Sequence, residues 1–180
     1  MIITVGGLPG AGDTTVCRIL AKRLGYRVIT IGEMNKEAAR EKNMTIQEFW
    51  RHLEADPEEL KRFHNELDRK QVEMSEKEDN LIFNSRLSAF KIPNAKLKIF
   101  LKAPFDIRVE RMVKRDGGTI EETSKTAKER EESERNNFKK LYGYDYAADL
   151  DQYDLVIDTG DKTAEEVAEI ILNKIKELEE

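Results

Sequence analysis

Gly7-Leu8-Pro9-Gly10-Ala11-Gly12-Asp13-Thr14-Thr15 lies between the apolar run Ile2-Ile3-Thr4-Val5 and a helical pattern that begins at Val16. This is the order of a phosphate-binding loop, G-x-x-x-x-G-K-[ST] between a strand and a helix, with Asp13 in place of the lysine. Glycines at this spacing let the backbone approach phosphate oxygens. The loop N–H groups and the helix N-terminus supply positive potential there. Thr14 holds the place of a Mg²⁺-ligating hydroxyl. A plainer account is a glycine-rich turn that starts a helix, with Asp13 as a first-turn acid favoured by the helix dipole.

Short apolar runs alternate with longer helical patterns along the rest of the chain. Val16, Ile19, Leu20 and Leu24 recur at helical spacing, and Gly25 closes that helix. A second strand is expected over residues 27–31. Residues 33–78 read as helices, broken near Asn43-Met44-Thr45 and at Asp56-Pro57. Thr45 with Glu48, and Asp56 with Glu59, have the spacing of capping boxes. Further strands are expected at Leu81-Ile82-Phe83, at Leu97 to Leu101 and at Leu155 to Asp158. A helix from Phe105 to Arg115 stops at Asp116-Gly117-Gly118, and residues 119–141 form a highly charged helix. Thr163 caps a final helix with Val167, Ile170, Ile171, Ile175 and Leu178 on one stripe. Strands that are apolar throughout, alternating with helices, predict an α/β fold with a parallel sheet covered on both faces. Ligands then bind beyond the carboxyl ends of the strands, the edge at which the glycine loop sits.

Composition narrows the function classes. A formal net charge of −5 over 180 residues argues against non-specific nucleic-acid binding. No run approaches the roughly 20 apolar residues of a membrane span, and the N-terminal apolar run is too short for a signal peptide. The lone Cys17 leaves no internal disulfide, so a cytoplasmic location is expected. His52 and His64 lack Cys or His companions at metal spacing, which argues against zinc. Trp50 with Phe49 is expected to pack the 33–78 segment against the core.

Five segments in order resemble the short cytidylate kinases, over nearly the whole length. They are Gly6-Gly7-Leu8-Pro9-Gly10, Ile31-Gly32-Glu33-Met34, Ser85-Arg86-Leu87, Arg130 to Arg135 with Leu141-Tyr142-Gly143, and Tyr153 to Thr159. The resemblance implies a P-loop kinase fold with a five-stranded parallel sheet. It implies a core (1–32, 79–116, 142–180), a helical insertion over 33–78 that closes on the acceptor monophosphate, and a helical lid over 117–141 that closes on the donor. It implies ATP and Mg²⁺ as cofactors, CMP and dCMP as acceptors, and a monomer. By the same resemblance Arg86 grips the acceptor phosphate, with Lys36 in support, and Asp68 and Arg69 lie near the acceptor base. Arg111 and Arg115, four apart on one helix, approach the donor. Arg130 and Arg135 reach the transferring phosphoryl group. For each of these arginines, an ordinary salt bridge on a solvated helix is the competing account.

Three positions depart from the family pattern: Asp13 for the loop lysine, Asn84 for an acid after the third strand, and Asn137 for a second lid arginine. A carboxylate about 4 Å from a phosphate is opposed by on the order of 1–4 kcal/mol in wet surroundings. Asp13 could take over the metal-side role lost at Asn84. The alternative is a nucleotide-binding relative that has lost catalysis and serves a regulatory role. A kinase for another small acceptor is a third reading, prompted by Asn35, Lys36 and Asn84.

Overall fold

The computed structural model describes residues 1–179. Five parallel strands form one sheet in the order β2-β3-β1-β4-β5. They are β1 (Ile2–Gly7), β2 (Arg27–Thr30), β3 (Leu81–Asn84), β4 (Leu97–Lys102) and β5 (Leu155–Asp158). β1 is central and buried at all six positions, as its β-branched, apolar sequence requires. Ile3 and Val5 enter one core layer with Ile99, Leu101 and Ile157. That layer is completed by α1 (Asp13–Leu24) and α8 (Ala164–Glu179), through Val16, Cys17, Leu20, Val167 and Ile171. The opposite face packs Ile2, Ile29, Leu81 and Phe83 with Ile92, and Phe100 with Tyr146 and Tyr153. The sheet is therefore covered on both sides, and the α/β expectation stands.

The helix boundaries follow local chemistry. Gly25 ends α1 in the left-handed conformation at φ 72°, its N–H bonding the Ala21 carbonyl. The 33–78 segment forms α2 (Ile31–Glu41), α3 (Ile46–Glu54) and α4 (Pro57–Lys77). Thr45 and Glu48 form the reciprocal capping box of α3. Asp56 caps α4 by accepting from the Glu58 and Glu59 N–H groups. The Glu59 side chain does not return the bond; it pairs instead with Lys42 at 2.7 Å and lies 3.1 Å from His52.

Three expectations need correction. Phe49 packs with Ala39, Leu53, Trp50 and Phe63, so this aromatic group joins α2, α3 and α4 to one another and not to the sheet. On α8, Ile170 and Leu178 are exposed; Ala168 and Leu172 complete the buried face with Val167, Ile171 and Ile175. Ile31 begins α2 and does not extend β2. The sequence reading also passed over α5 (Ser88–Lys91), a four-residue helix too short to show a period, and a 3₁₀ turn at Leu150–Gln152. The remaining helices are α6 (Phe105–Asp116) and α7 (Ile120–Tyr142). Among the described residues, no helix is long and apolar enough to cross a membrane.

Candidate active site

β1 delivers the glycine loop to the carboxyl edge of the sheet between β3 and β4. The loop is held from below. Leu8 N–H donates to the Leu101 carbonyl at 3.1 Å, and Ala11 N–H to the Leu8 carbonyl at 2.9 Å. Gly10 adopts φ 84°, and a Cβ there would lie 2.7 Å from the Arg108 carbonyl oxygen, so the position demands glycine twice over. Arg108, in the first turn of α6, is 4% exposed. Its guanidinium donates to the Pro9 carbonyl at 3.0 Å and the Ala103 carbonyl at 3.1 Å, and pairs with Glu131 of α7 at 2.9 Å.

The N-terminus of α1 carries no side-chain cap, whereas Thr45, Asp56 and Thr119 cap α3, α4 and α7. The Asp13 and Thr14 amides there meet the Asp13 carboxylate itself. Thr14 and Thr15 are exposed there. The Asn84 amide, at the end of β3, donates to Thr14 Oγ1 at 3.3 Å. Asp13 lies beside them. Loss of solvation pushes its carboxyl up from its ordinary value, while the charge of Arg86 and the Thr14 amide pull it back down. Thr14 and Asp13 offer oxygen atoms, the chemistry Mg²⁺ prefers, while Asn84 turns its Nδ2 toward Thr14. Among the described residues no group of three or more His, Cys, Asp or Glu side chains converges as a metal cage. A Mg²⁺ held mainly by nucleotide phosphates and water needs none.

Arg86 follows β3 and faces α7. Its Nε is 2.9 Å from Glu134 Oε2, and Arg130 Nε donates to Glu134 Oε1 at 2.9 Å. Burial works against the Arg86 charge, and Glu134, Tyr146 and Asp13 together more than offset it, so its pKa rises. Burial pushes the Tyr146 hydroxyl up to about 12, against the pull of Arg86. Arg135 makes a two-pronged contact with Asp145, at 2.9 and 2.6 Å. It lines a cleft of about 470 Å³ with Phe105, Lys128, Glu131 and Lys139, outside the glycine loop itself.

The other candidate residues are more scattered. Arg111 donates to the Thr159 hydroxyl and carbonyl at 2.9 and 2.6 Å, and Thr159 Oγ1 donates to the Ala11 carbonyl at 2.8 Å, so Arg111 braces the back of the loop. Arg115 turns outward to Asp116, and Lys36 outward to Glu33 at 2.6 Å. Asp68 and Arg69 part company. Arg69 is exposed, 3.8 Å from Glu73. Asp68 points inward to Lys91 of α5 at 3.1 Å, near the Tyr142 hydroxyl, with the Lys91 ammonium 3.4 Å above the Tyr142 ring. His64 meets Phe138 and Tyr142 edge-on, so α4 and the end of α7 touch. Burial lowers the His64 pKa, which keeps the ring neutral at pH 7. Asn137 is half-buried on α7.

Sequence reasoning missed Arg108, Lys91, Glu131, Glu134, Asp145 and Tyr146. Arg108 alone left a signal: a charge flanked by Phe105, Val109 and Met112 on an otherwise apolar helix stripe.

Comparison with known proteins adds the ancestry. Residues 2–161 match the model of the cytidylate kinase-like family. The cytidylate kinase of Pyrococcus abyssi is 41% identical over 180 residues, covering 100% of this chain and 96% of that relative. The cytidylate kinase of Pyrococcus furiosus is 39% identical over 99% of this chain and 90% of its own length. Shikimate kinase from Acinetobacter baumannii shares the fold at a TM-score of 0.62, with 17% identity, over 98% of this chain and 93% of that one. With a family model that spans most of the sequence and relatives similar from end to end, the chain belongs to the cytidylate kinase-like family.

Proposed function

We propose that the protein transfers the γ-phosphoryl group of ATP to CMP, and to dCMP as a second acceptor, giving the diphosphate and ADP. The observation that carries this reading is the meeting, at one sheet edge, of an uncapped α1 N-terminus, the Thr14–Asn84 pair and Arg86. The cytidylate kinases of the two Pyrococcus species supply the acceptor class.

When bound, ATP supplies the phosphoryl group and Mg²⁺ offsets its charge. The loop from Gly7 to Thr15 receives the donor phosphates on backbone N–H groups, and Thr14 gives a hydroxyl to the metal side. Arg108 and Arg111 keep the loop in shape from behind through the Pro9 carbonyl and Thr159. Arg86 orients the acceptor phosphate with Lys36 as an outlying cation, and Arg115 is the outlying cation on the donor side. Arg130 and Arg135 ride on α7, which acts as the lid over residues 117–141 and excludes water, the competing acceptor. Asp68 faces the acceptor base and Arg69 stays in solvent. Attack by a phosphate oxygen needs no histidine base. The reading places the enzyme in the cytoplasm as a monomer that binds no nucleic acid.

A second reading, a relative that binds nucleotide without transferring phosphate, draws on one feature. Asp13 sets a carboxylate in the loop, with Asn84 and Asn137 as further departures. A coupled assay with ATP-Mg²⁺ against CMP, dCMP, UMP, AMP and GMP separates the two. Turnover selective for the cytosine nucleotides is expected. Nucleotide binding with no turnover on any acceptor would transfer support to the second reading.

A further inference from the structure

Glu134 lies on α7 between two arginines assigned above to phosphate. One carboxylate oxygen is 2.9 Å from Arg86 Nε and the other 2.9 Å from Arg130 Nε. Its side chain is 22% exposed and that of Arg86 25%. Tyr146, fully buried, sets its hydroxyl against Arg86 within reach of the Glu134 charge. Arg86 Nε and Glu134 Oε2 meet as an ion pair without hydrogen-bond alignment, and the buried Tyr146 hydroxyl has no well-directed hydrogen bond. A buried hydroxyl is nearly always partnered in folded proteins, so the Tyr146 OH beside a misaligned ion pair points to a ligand that would align these groups.

Their geometry indicates its kind. A carboxylate has two oxygens in one plane, and here each is committed to one guanidinium. Three donors converge: Arg86, Arg130 and the Tyr146 hydroxyl. A phosphate monoester offers three oxygens spread about a tetrahedral centre and carries nearly two charges, so it can satisfy donors a carboxylate leaves short. We infer that Glu134 is an internal stand-in for the acceptor's phosphate, holding Arg86 and Arg130 until a dianionic phosphate monoester displaces it, with Tyr146 as a further phosphate donor. The inference rests on Arg86 as the acceptor-phosphate arginine and deepens that reading. Displacement makes the site selective, since a monoanion or an uncharged nucleoside gains too little to expel the carboxylate. It also links acceptor arrival to α7, because the group that leaves belongs to that helix.

The test compares wild type, Glu134→Gln and Tyr146→Phe, with inorganic phosphate and CMP titrated separately by calorimetry and by thermal melting. Glutamine keeps the shape and removes the competing charge. Glu134→Gln should bind both phosphate and CMP at least fivefold more tightly. It should melt lower than wild type without anions and recover on adding phosphate, by more than wild type gains. Unchanged or weaker phosphate binding, or a melting deficit that phosphate does not restore, would make Glu134 a structural strap and overturn the inference. Tyr146→Phe keeps the carboxylate and loses one donor, so it should weaken phosphate binding at least threefold; no change would remove Tyr146 from the site. Should Glu134→Gln tighten phosphate while CMP fails to bind, the stand-in role survives and the acceptor reading falls.

Discussion

Asp13 sits in the first turn of α1, where its own N–H and that of Thr14 help hold its carboxylate and Arg86 is the principal nearby cation. An oxygen donor beside Thr14 Oγ1 and Asn84 suits the metal side of the loop better than a bridge to the phosphates. A lysine introduced there would meet the cationic Arg86 in a space shaped around a carboxylate. Asp13→Lys is therefore expected to leave kcat at or below the wild-type value in the coupled assay. A rise of tenfold or more would mean that the chain lacks only the lysine and that Asp13 has no metal-side role. The glycine loop itself was plain from residue order, because its glycines and Thr14 stand at motif spacing between β1 and α1. Which cations surround it was not. Arg86 was singled out by its place after β3, but Arg108 was passed over, since a buried arginine reads as a surface one until its carbonyl partners at Pro9 and Ala103 are known.

At the scale of elements, α7 is the least embedded of the long helices: over 23 residues only Ala127 is buried. Ion pairs take the place of a core. Arg86–Glu134, Arg108–Glu131 and Arg135–Asp145 connect it to the segment after β3, to α6 and to the loop that follows Tyr142. Arg135–Asp145, the most exposed of the three, is the one salt should weaken, whereas the more buried Arg108–Glu131 pair is screened much less. The Arg135 guanidinium holds the Asp145 carboxyl below its ordinary value of 3.8. A depressed acid adds stability above its unfolded pKa and loses it as pH falls through the folded value. Asp145→Asn should therefore cost about 1 kcal/mol at pH 7, given the partial exposure of Arg135. The melting curves of variant and wild type should converge as pH falls below 3.8. A deficit that persists unchanged to pH 2.5 would mean that Asp145 acts through shape and not charge. The helix was legible in its charge pattern and in the cap at Thr119; its partners were not, because glutamates one turn apart look alike in a sequence.

For the whole molecule, the sheet follows from runs such as Ile2 to Val5 and Leu97 to Leu101, apolar at successive positions and so buried on both faces. What escaped was placement across long separations. Asp68 and Arg69 were assigned together to the acceptor base from a family resemblance, yet successive helix residues point about 100° apart, and Lys91 arrives from a helix too short to announce itself. The consequence is a molecule in which α4, α5 and α7 meet at Asp68, Lys91 and Tyr142. The account stands on one chemical claim, that the sheet edge carrying the glycine loop moves a phosphoryl group from ATP to CMP. Purified protein incubated with ATP, Mg²⁺ and CMP, followed by separation of the nucleotides, measures it directly. The account predicts CDP and ADP in equal amounts. ADP without CDP, or no ADP at all while both nucleotides bind, would contradict it.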